Sequence, residues 1–286
     1  MRRTILATGI VVLLVTSRTV RADERTKLPP LLFHASFNGT TDVNLFDKDG
    51  SIYTADSLAM KKVTKGVSTK KVTIAKGAGR FGDCLRFAAK TKEVLIYKAA
   101  VNGFQPRDNW SGTVGVWLKL DPDKDLPAGF CDPIQITAKK WNDASFFIDF
   151  NKDLPRDFRL GVFSDHKFWN PDNTKFDDIP PDKRPMITVK KPPFSRDKWT
   201  HIVFTFSNLN PTDGKSSSAS LYLNGGLQGT LNQPMRFTWD KRADDPKEAV
   251  IMLGIGYVGD MDELAIFQKA MTADQVRRYY HLPNGL

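Results

Sequence analysis

The chain has 286 residues, enough for one large domain with a substantial core. Its net charge of +10 is carried by lysines and arginines interleaved with aspartates, which speaks against a nucleic-acid groove, where cations gather beside aromatic platforms. Two cysteines and four scattered histidines make neither a disulfide scaffold nor a zinc site.

The N-terminus begins with Arg2 and Arg3, continues through 11 residues from Ile5 to Val15 that are mostly apolar, and leaves through Val20 and Ala22. A positive end, a short apolar segment and a small-residue exit read as a secretory signal over residues 1–22. The apolar run falls short of the roughly 20 residues that span a bilayer. Cleavage before Asp23 removes four arginines, so the remainder, residues 23–286, carries +6 and is expected to form one domain in a secreted or periplasmic location, with no transmembrane segment. In such a compartment Cys84 and Cys131 either pair or remain two buried thiols.

Strand patterns then recur. Leu31 to Phe37 ends on Asn38-Gly39, a turn signal. Lys61, Lys62, Lys65, Lys70, Lys71 and Lys76 alternate with Val, Thr and Gly, the pattern of a solvated edge kept soluble by lysine. Arg80 to Phe87 and Val94 to Tyr97 follow. In Gly112 to Leu120, Val114, Val116, Leu118 and Leu120 share one face while Trp117 stands on the other, so this strand belongs in the middle of a sheet. Further strands are expected at 133–137, 144–150, 158–163, 186–189 and 199–206. Residues 219–223 meet Asn224-Gly225-Gly226, a hairpin signal, with the returning strand at 227–231. The last two strands are 250–253 and 259–267. In the final one, alternation predicts Met261, Glu263, Ala265 and Phe267 on one face and Asp262, Leu264 and Ile266 on the other.

Residues 164–194 carry six prolines among many charges and are predicted to be mostly surface loop. Phe168, Trp169, Phe176 and His166 give this long loop its functional interest. One helix closes the chain: Thr272 is its N-cap, Gln275 completes a capping box, and Val276, Tyr279 and Tyr280 share a side. Short strands with hairpin turns and one terminal helix indicate an all-β, antiparallel, two-sheet sandwich.

The order of these signals, above all Gly254-Ile255-Gly256 leading into Gly259 to Phe267 and then Ala270 to Val276, resembles the concanavalin A-like lectin/glucanase superfamily. Within it, the chain is similar to the laminin G-like jelly-roll modules of exported bacterial proteins. The resemblance implies a jelly roll whose last strand returns beside the first. It also implies a structural calcium near Asp262, with Asn38 and Asp42 as further ligands. Asn38 stands where relatives carry an acid, which leaves open the alternative that these residues accept backbone hydrogen bonds and join the chain ends.

The glucanases of the superfamily place closely spaced acids on one strand, as glycoside cleavage with paired carboxylates requires. This chain has only four glutamates, Glu24, Glu93, Glu248 and Glu263, far apart from one another. Asp260 and Asp262 share a strand face, but Glu263 does not join them, and no nucleophile elbow or metalloprotease helix is present. The reading is therefore a recognition module with no catalytic residues, taking a glycan or, alternatively, an extracellular protein; a glycoside hydrolase ranks third. The resemblance places ligand contacts on rim loops, where aromatics stack on sugar rings. The candidates are Trp141, Asn142, Asp143, Trp169 and Asn170, with Trp239 and Asp240, whereas Trp110, Trp117 and Trp199 sit at or inside strong strands and read as structural.

Overall fold

The computed structural model describes residues 28–239 and 248–286. The signal-like segment 1–22 and Asp240 lie outside the described residues. Strands run in chain order as β1 (Leu31–Ala35), β2 (Tyr53–Ala55), β3 (Val63–Lys65), β4 (Val72–Ala75), β5 (Cys84–Phe87), β6 (Val94–Lys98), β7 (Trp110–Lys119), β8 (Cys131–Thr137), β9 (Ser145–Phe150) and β10 (Phe158–Phe163). They continue as β11 (Met186–Val189), β12 (Thr200–Leu209), β13 (Ser218–Leu223), β14 (Gly226–Asn232), β15 (Val250–Ile255) and β16 (Gly259–Phe267). Three α-helical segments accompany them: α1 (Pro122–Asp125), α2 (His166–Trp169) and α3 (Ala273–Tyr280).

Two antiparallel sheets result. One has the order β14-β13-β12-β7-β16-β5-β4 with β1 added on β16, and the other β11-β10-β9-β8-β15-β6-β2-β3. The fold is thus an all-β, two-sheet antiparallel jelly-roll sandwich with a short C-terminal helix, and the last strand does return beside the first. Period-two burial builds the core. Val114, Val116 and Leu118 of β7 and Ile202, Phe204 and Phe206 of β12 face Ile134 and Ile136 of β8 and Phe146, Ile148 and Phe150 of β9. Trp110, Phe104, Phe206 and Phe146 form one aromatic knot at the end of this layer, with Trp110 and Phe206 centroids 4.7 Å apart.

The local turn and cap signals of the sequence correspond to local structure. Asn224 (φ 49°) and Gly225 (φ 79°) make the tight β13–β14 turn. Thr272 and Gln275 form the capping box of α3. The lysine-rich segment supplies the exposed β3 and part of β4, each at the edge of its sheet. The 164–194 segment is more ordered than its prolines suggest: it contains α2, two 3₁₀ turns and β11, and Phe194 packs between Phe150 and Phe158.

The alternation predicted for β16 breaks at Glu263. This residue lies in the left-handed region (φ 52°), and the pairing with β7 skips from Asp262–Trp117 to Ala265–Gly115, so two residues oppose one. Met261 therefore joins Leu264 and Ile266 in the core, while Ala265 and Phe267 point to the outer face. There α3 covers them with Val276 and Tyr279. The bulge also divides the other edge of β16: β5 pairs with Gly259–Met261 and β1 with Leu264–Phe267.

The two cysteines are free, buried thiols in different sheets. Cys131 belongs to the inter-sheet core, whereas Cys84 alternates with the core residues Leu85 and Phe87 and so faces the other side of its own sheet. A layer of backbone separates the sulfurs, and burial pushes the thiols up to about 12 at Cys84 and about 11 at Cys131.

Under α3, the His201 ring stacks on Trp117 (4.5 Å) and meets the edge of Tyr279 (4.6 Å), fully buried with both nitrogens unpartnered. Burial, then the nearby Arg80 charge, lowers its pKa to about 3. Unfolding restores an ordinary histidine, so the unfolded chain takes up a proton from about pH 6.5 downward while the folded one does not until about pH 3. Acid thus removes stability through His201 at about 1.4 kcal/mol per pH unit inside that window. In urea titrations, His201→Phe should gain on the parent by that slope as pH falls from 6.5; parallel curves would show that the ring is not held neutral.

A candidate ligand groove at the sandwich rim

The β8–β9 turn is built by Thr137, whose hydroxyl donates to the carbonyls of Asp143 (3.2 Å) and Ala144 (3.1 Å). The Ala144 N–H then donates to Ser164 O (3.0 Å), and this bond ties the turn to the chain leaving β10. Two tryptophans hold the turn from other sides: Trp169 Nε1–H donates to Asn142 O at 2.9 Å and Trp239 Nε1–H to Ala144 O at 2.7 Å. Their indoles are half-buried supports, Trp169 against Phe163 and Trp239 against Phe104 and Trp110. Asn170 is buried and closes its own loop through Thr174.

Trp141 is placed differently. It is 41% exposed, and its ring stands on the edges of Phe147, Phe163 and Phe176, with centroids 5.1 to 6.2 Å away. With Asn142 and Asp143 it lines a groove of about 900 Å³ whose other walls come from Lys139, Lys140, Asp165, His166, Lys167, Phe168, Asn173, Arg236 and Thr238. A second hollow of about 440 Å³ shares Phe168, Arg236 and Thr238 with it. Of the sequence candidates, the structure gathers Trp141, Asn142 and Asp143 at the groove, whereas Trp169, Asn170 and Trp239 are not among its lining residues.

Asp165 joins the walls. Its Oδ1 accepts from Lys139 Nζ (2.9 Å), Thr238 N (3.1 Å) and the Thr238 hydroxyl (2.8 Å), and its own N–H donates to Arg236 O (2.7 Å). Asp143 Oδ1 accepts from His166 N at 2.9 Å. Asp165, Arg236 and Thr238 carried no sequence signal, because the partners lie about 70 residues apart and meet only across loops.

The carboxylates singled out near the chain ends are all engaged. Asp260 takes Arg86 through both oxygens, at 2.7 and 2.9 Å, with Lys119 Nζ at 3.6 Å. Asp262 is fully buried; its Oδ2 accepts from Arg80 N (2.7 Å) and Phe81 N (3.1 Å), and its Oδ1 from Glu263 N (2.9 Å). Burial raises Asp262 to about 7 against the pull of these N–H groups. Asn38 Oδ1 accepts from Asp83 N (2.7 Å), and Asp42 Oδ1 from Ile52 N (3.2 Å). Each of these three side chains thus accepts from backbone N–H groups, Asp262 from the 80–81 turn and Glu263, Asn38 from Asp83 and Asp42 from Ile52. A second acid–base cluster escaped sequence reading: Asp149 pairs with Arg159 (Nε to Oδ1 2.9 Å) across β9 and β10, and Arg159 lies 5.0 Å over the exposed Phe130 ring.

Residues 97–277, more than half of the chain, match the family model described as the concanavalin A-like lectin/glucanases superfamily. No curated protein matches by sequence. Among solved structures, the chain is similar to domain 4 of AbnA, a GH43 extracellular arabinanase from Geobacillus stearothermophilus, in complex with arabinotriose: 17% identity, 88% of this chain and 98% of that one, TM-score 0.52. It is also similar to the botulinum neurotoxin type G receptor binding domain, at 12% identity, 88% of this chain and 51% of that one, TM-score 0.50. The chain thus spans about half the length of the neurotoxin domain. At these identities the likeness is one of fold.

Two outcomes test this geometry. Asp165→Ala removes a charged acceptor from three donors and should cost about 2 kcal/mol in denaturant titrations, with Asp165→Asn losing less. Asp262→Ala takes the acceptor from three backbone N–H groups, that of Glu263 buried, and should cost about 3 kcal/mol, while EDTA leaves the parent's Tm unchanged; a chelator-dependent Tm would place a metal at this junction.

Proposed function

The chain belongs to the concanavalin A-like lectin/glucanase superfamily, and from that premise we propose that it is an exported, non-catalytic recognition module that binds carbohydrate in the rim groove beneath Trp141. The observation that carries this reading is an exposed indole, backed by three phenylalanines, on a groove that also offers Asn142 and Asn173 for reading hydroxyls. A sugar ring presents an apolar C–H face and a polar rim, which matches this pairing. The arabinanase domain solved with arabinotriose shares the fold, and that supports the choice of ligand class. Export rests on the signal-like residues 1–22; no helix among the described residues is long and apolar enough to cross a membrane.

Against turnover stands the engagement of the acids: Asp260 is neutralised by Arg86 and Lys119, and Asp262 is sealed from any substrate. A glycoside hydrolase needs an accessible pair flanking the bond to be cut.

Glycan-panel binding by the purified protein, measured together with reducing-sugar release, tests the reading. Trp141→Ala should weaken glycan binding at least about tenfold with an unchanged circular dichroism spectrum, and no sugar should be released. Capture of a protein partner that survives excess free sugar would favour the protein-binding alternative, and reducing-sugar release would replace both readings.

A further inference from the structure

The groove has a charge character that deepens its proposed role. Four cationic side chains line it against two carboxylates. Both carboxylates are turned into the protein, Asp165 onto Lys139 and Thr238 and Asp143 onto the His166 backbone and Lys139 (3.6 Å). Lys140 and Lys167 stand exposed on the walls with no ion pair among the described residues. Arg236 reaches Asp165 only at 3.8 Å, and its side chain is 64% exposed. The negative charge is thus spent on holding the walls together, and the positive charge faces the open space.

Shape adds a second constraint. The two hollows meet at Phe168 and Arg236, and Phe168 is 45% exposed at their junction. An occupant of both must be longer than one sugar ring, with an apolar face against Trp141 and Phe168 and a group for the guanidinium between them. Arginine's planar fork pairs with carboxylate or sulfate oxygens through two parallel hydrogen bonds, and the lysines act as point charges.

Resting on the carbohydrate reading of this groove, we propose that its ligand is an anionic oligosaccharide, carboxylated or sulfated, laid across both hollows with its acid group at Arg236 and its neighbouring rings on Trp141 and Phe168. Lys140 and Lys167 attract the same ligand from the walls. A charge-assisted contact of this kind is worth about tenfold to a hundredfold in affinity.

Calorimetry with three probes tests this: an oligogalacturonate hexamer, its carboxyl-reduced neutral counterpart, and a heparin-derived hexasaccharide. At least one charged probe should bind about tenfold or more tightly than the neutral one, and which of the two wins identifies carboxylate or sulfate. Arg236→Ser and the double variant Lys140→Ser with Lys167→Ser should each lose about tenfold on the charged probe, with little change on the neutral one, and salt should weaken only the charged binding. Equal binding of charged and neutral probes, abolished by Trp141→Ala, would overturn the anionic preference and leave the groove reading intact. Charged binding untouched by both Trp141→Ala and Arg236→Ser would place the ligand elsewhere and overturn both. If none of the three probes binds, the anionic preference falls, and the glycan panel alone then decides the carbohydrate reading.

Discussion

The architecture turns on the bulge at Glu263 in β16. A left-handed conformation at a non-glycine residue costs about 1 kcal/mol or more, and here the surroundings hold it in place. Asp262 spends its carboxylate on the backbone of Glu263 and of the 80–81 turn, and the Glu263 carboxylate meets His34 Nε2 at 3.0 Å and accepts from the Leu286 N–H at 3.2 Å. One strand thereby receives β5 and β1 end to end along the same edge. The change of phase also lets Met261 stay in the core while Phe267, six residues on, meets the C-terminal helix.

The same junction explains why acids near the chain ends make poor chemistry here. A carboxylate that organises a turn keeps its lone pairs for N–H donors, and a catalytic carboxylate must offer them to something else. Asp262 does the former. Its neighbour Asp260 is held by the Arg86 fork on one side and approached by Lys119 on the other. The accessible polar groups of the candidate site lie instead at the rim, where loops and not strands meet.

That rim is ordered by hydrogen bonds between segments distant in the chain. Two indole N–H groups fix the carbonyls of the β8–β9 turn, and Asp165 ties Lys139 to Thr238. A platform held in this way loses little freedom when a ligand arrives, so more of the contact energy appears as affinity. Trp141 benefits most, since three phenylalanine edges support a ring that still faces outward.

Much of the fold was legible because its signals are local. Alternation in β7, the Asn224-Gly225 turn and the Thr272–Gln275 capping box each depend on residues a few positions apart, and each stands in the structure where the sequence places it. The groove was legible only in its first piece, Trp141 to Asp143, because an aromatic beside Asn and Asp in a turn is itself a local pattern. What the tertiary structure alone decided is what distance in the chain conceals. The bulge at Glu263 follows from partners at His34 and Leu286 and has no mark in the strand's own pattern. Cys84 and Cys131 fall on opposite sides of a sheet because strand phase, not spacing, sets where each sulfur points. Trp169 and Trp239 look like sugar platforms in sequence, yet each gives its indole N–H to a carbonyl of the β8–β9 turn, and Arg236 reaches the groove only because the loops fold together: exposure is a property of packing, which no single segment carries.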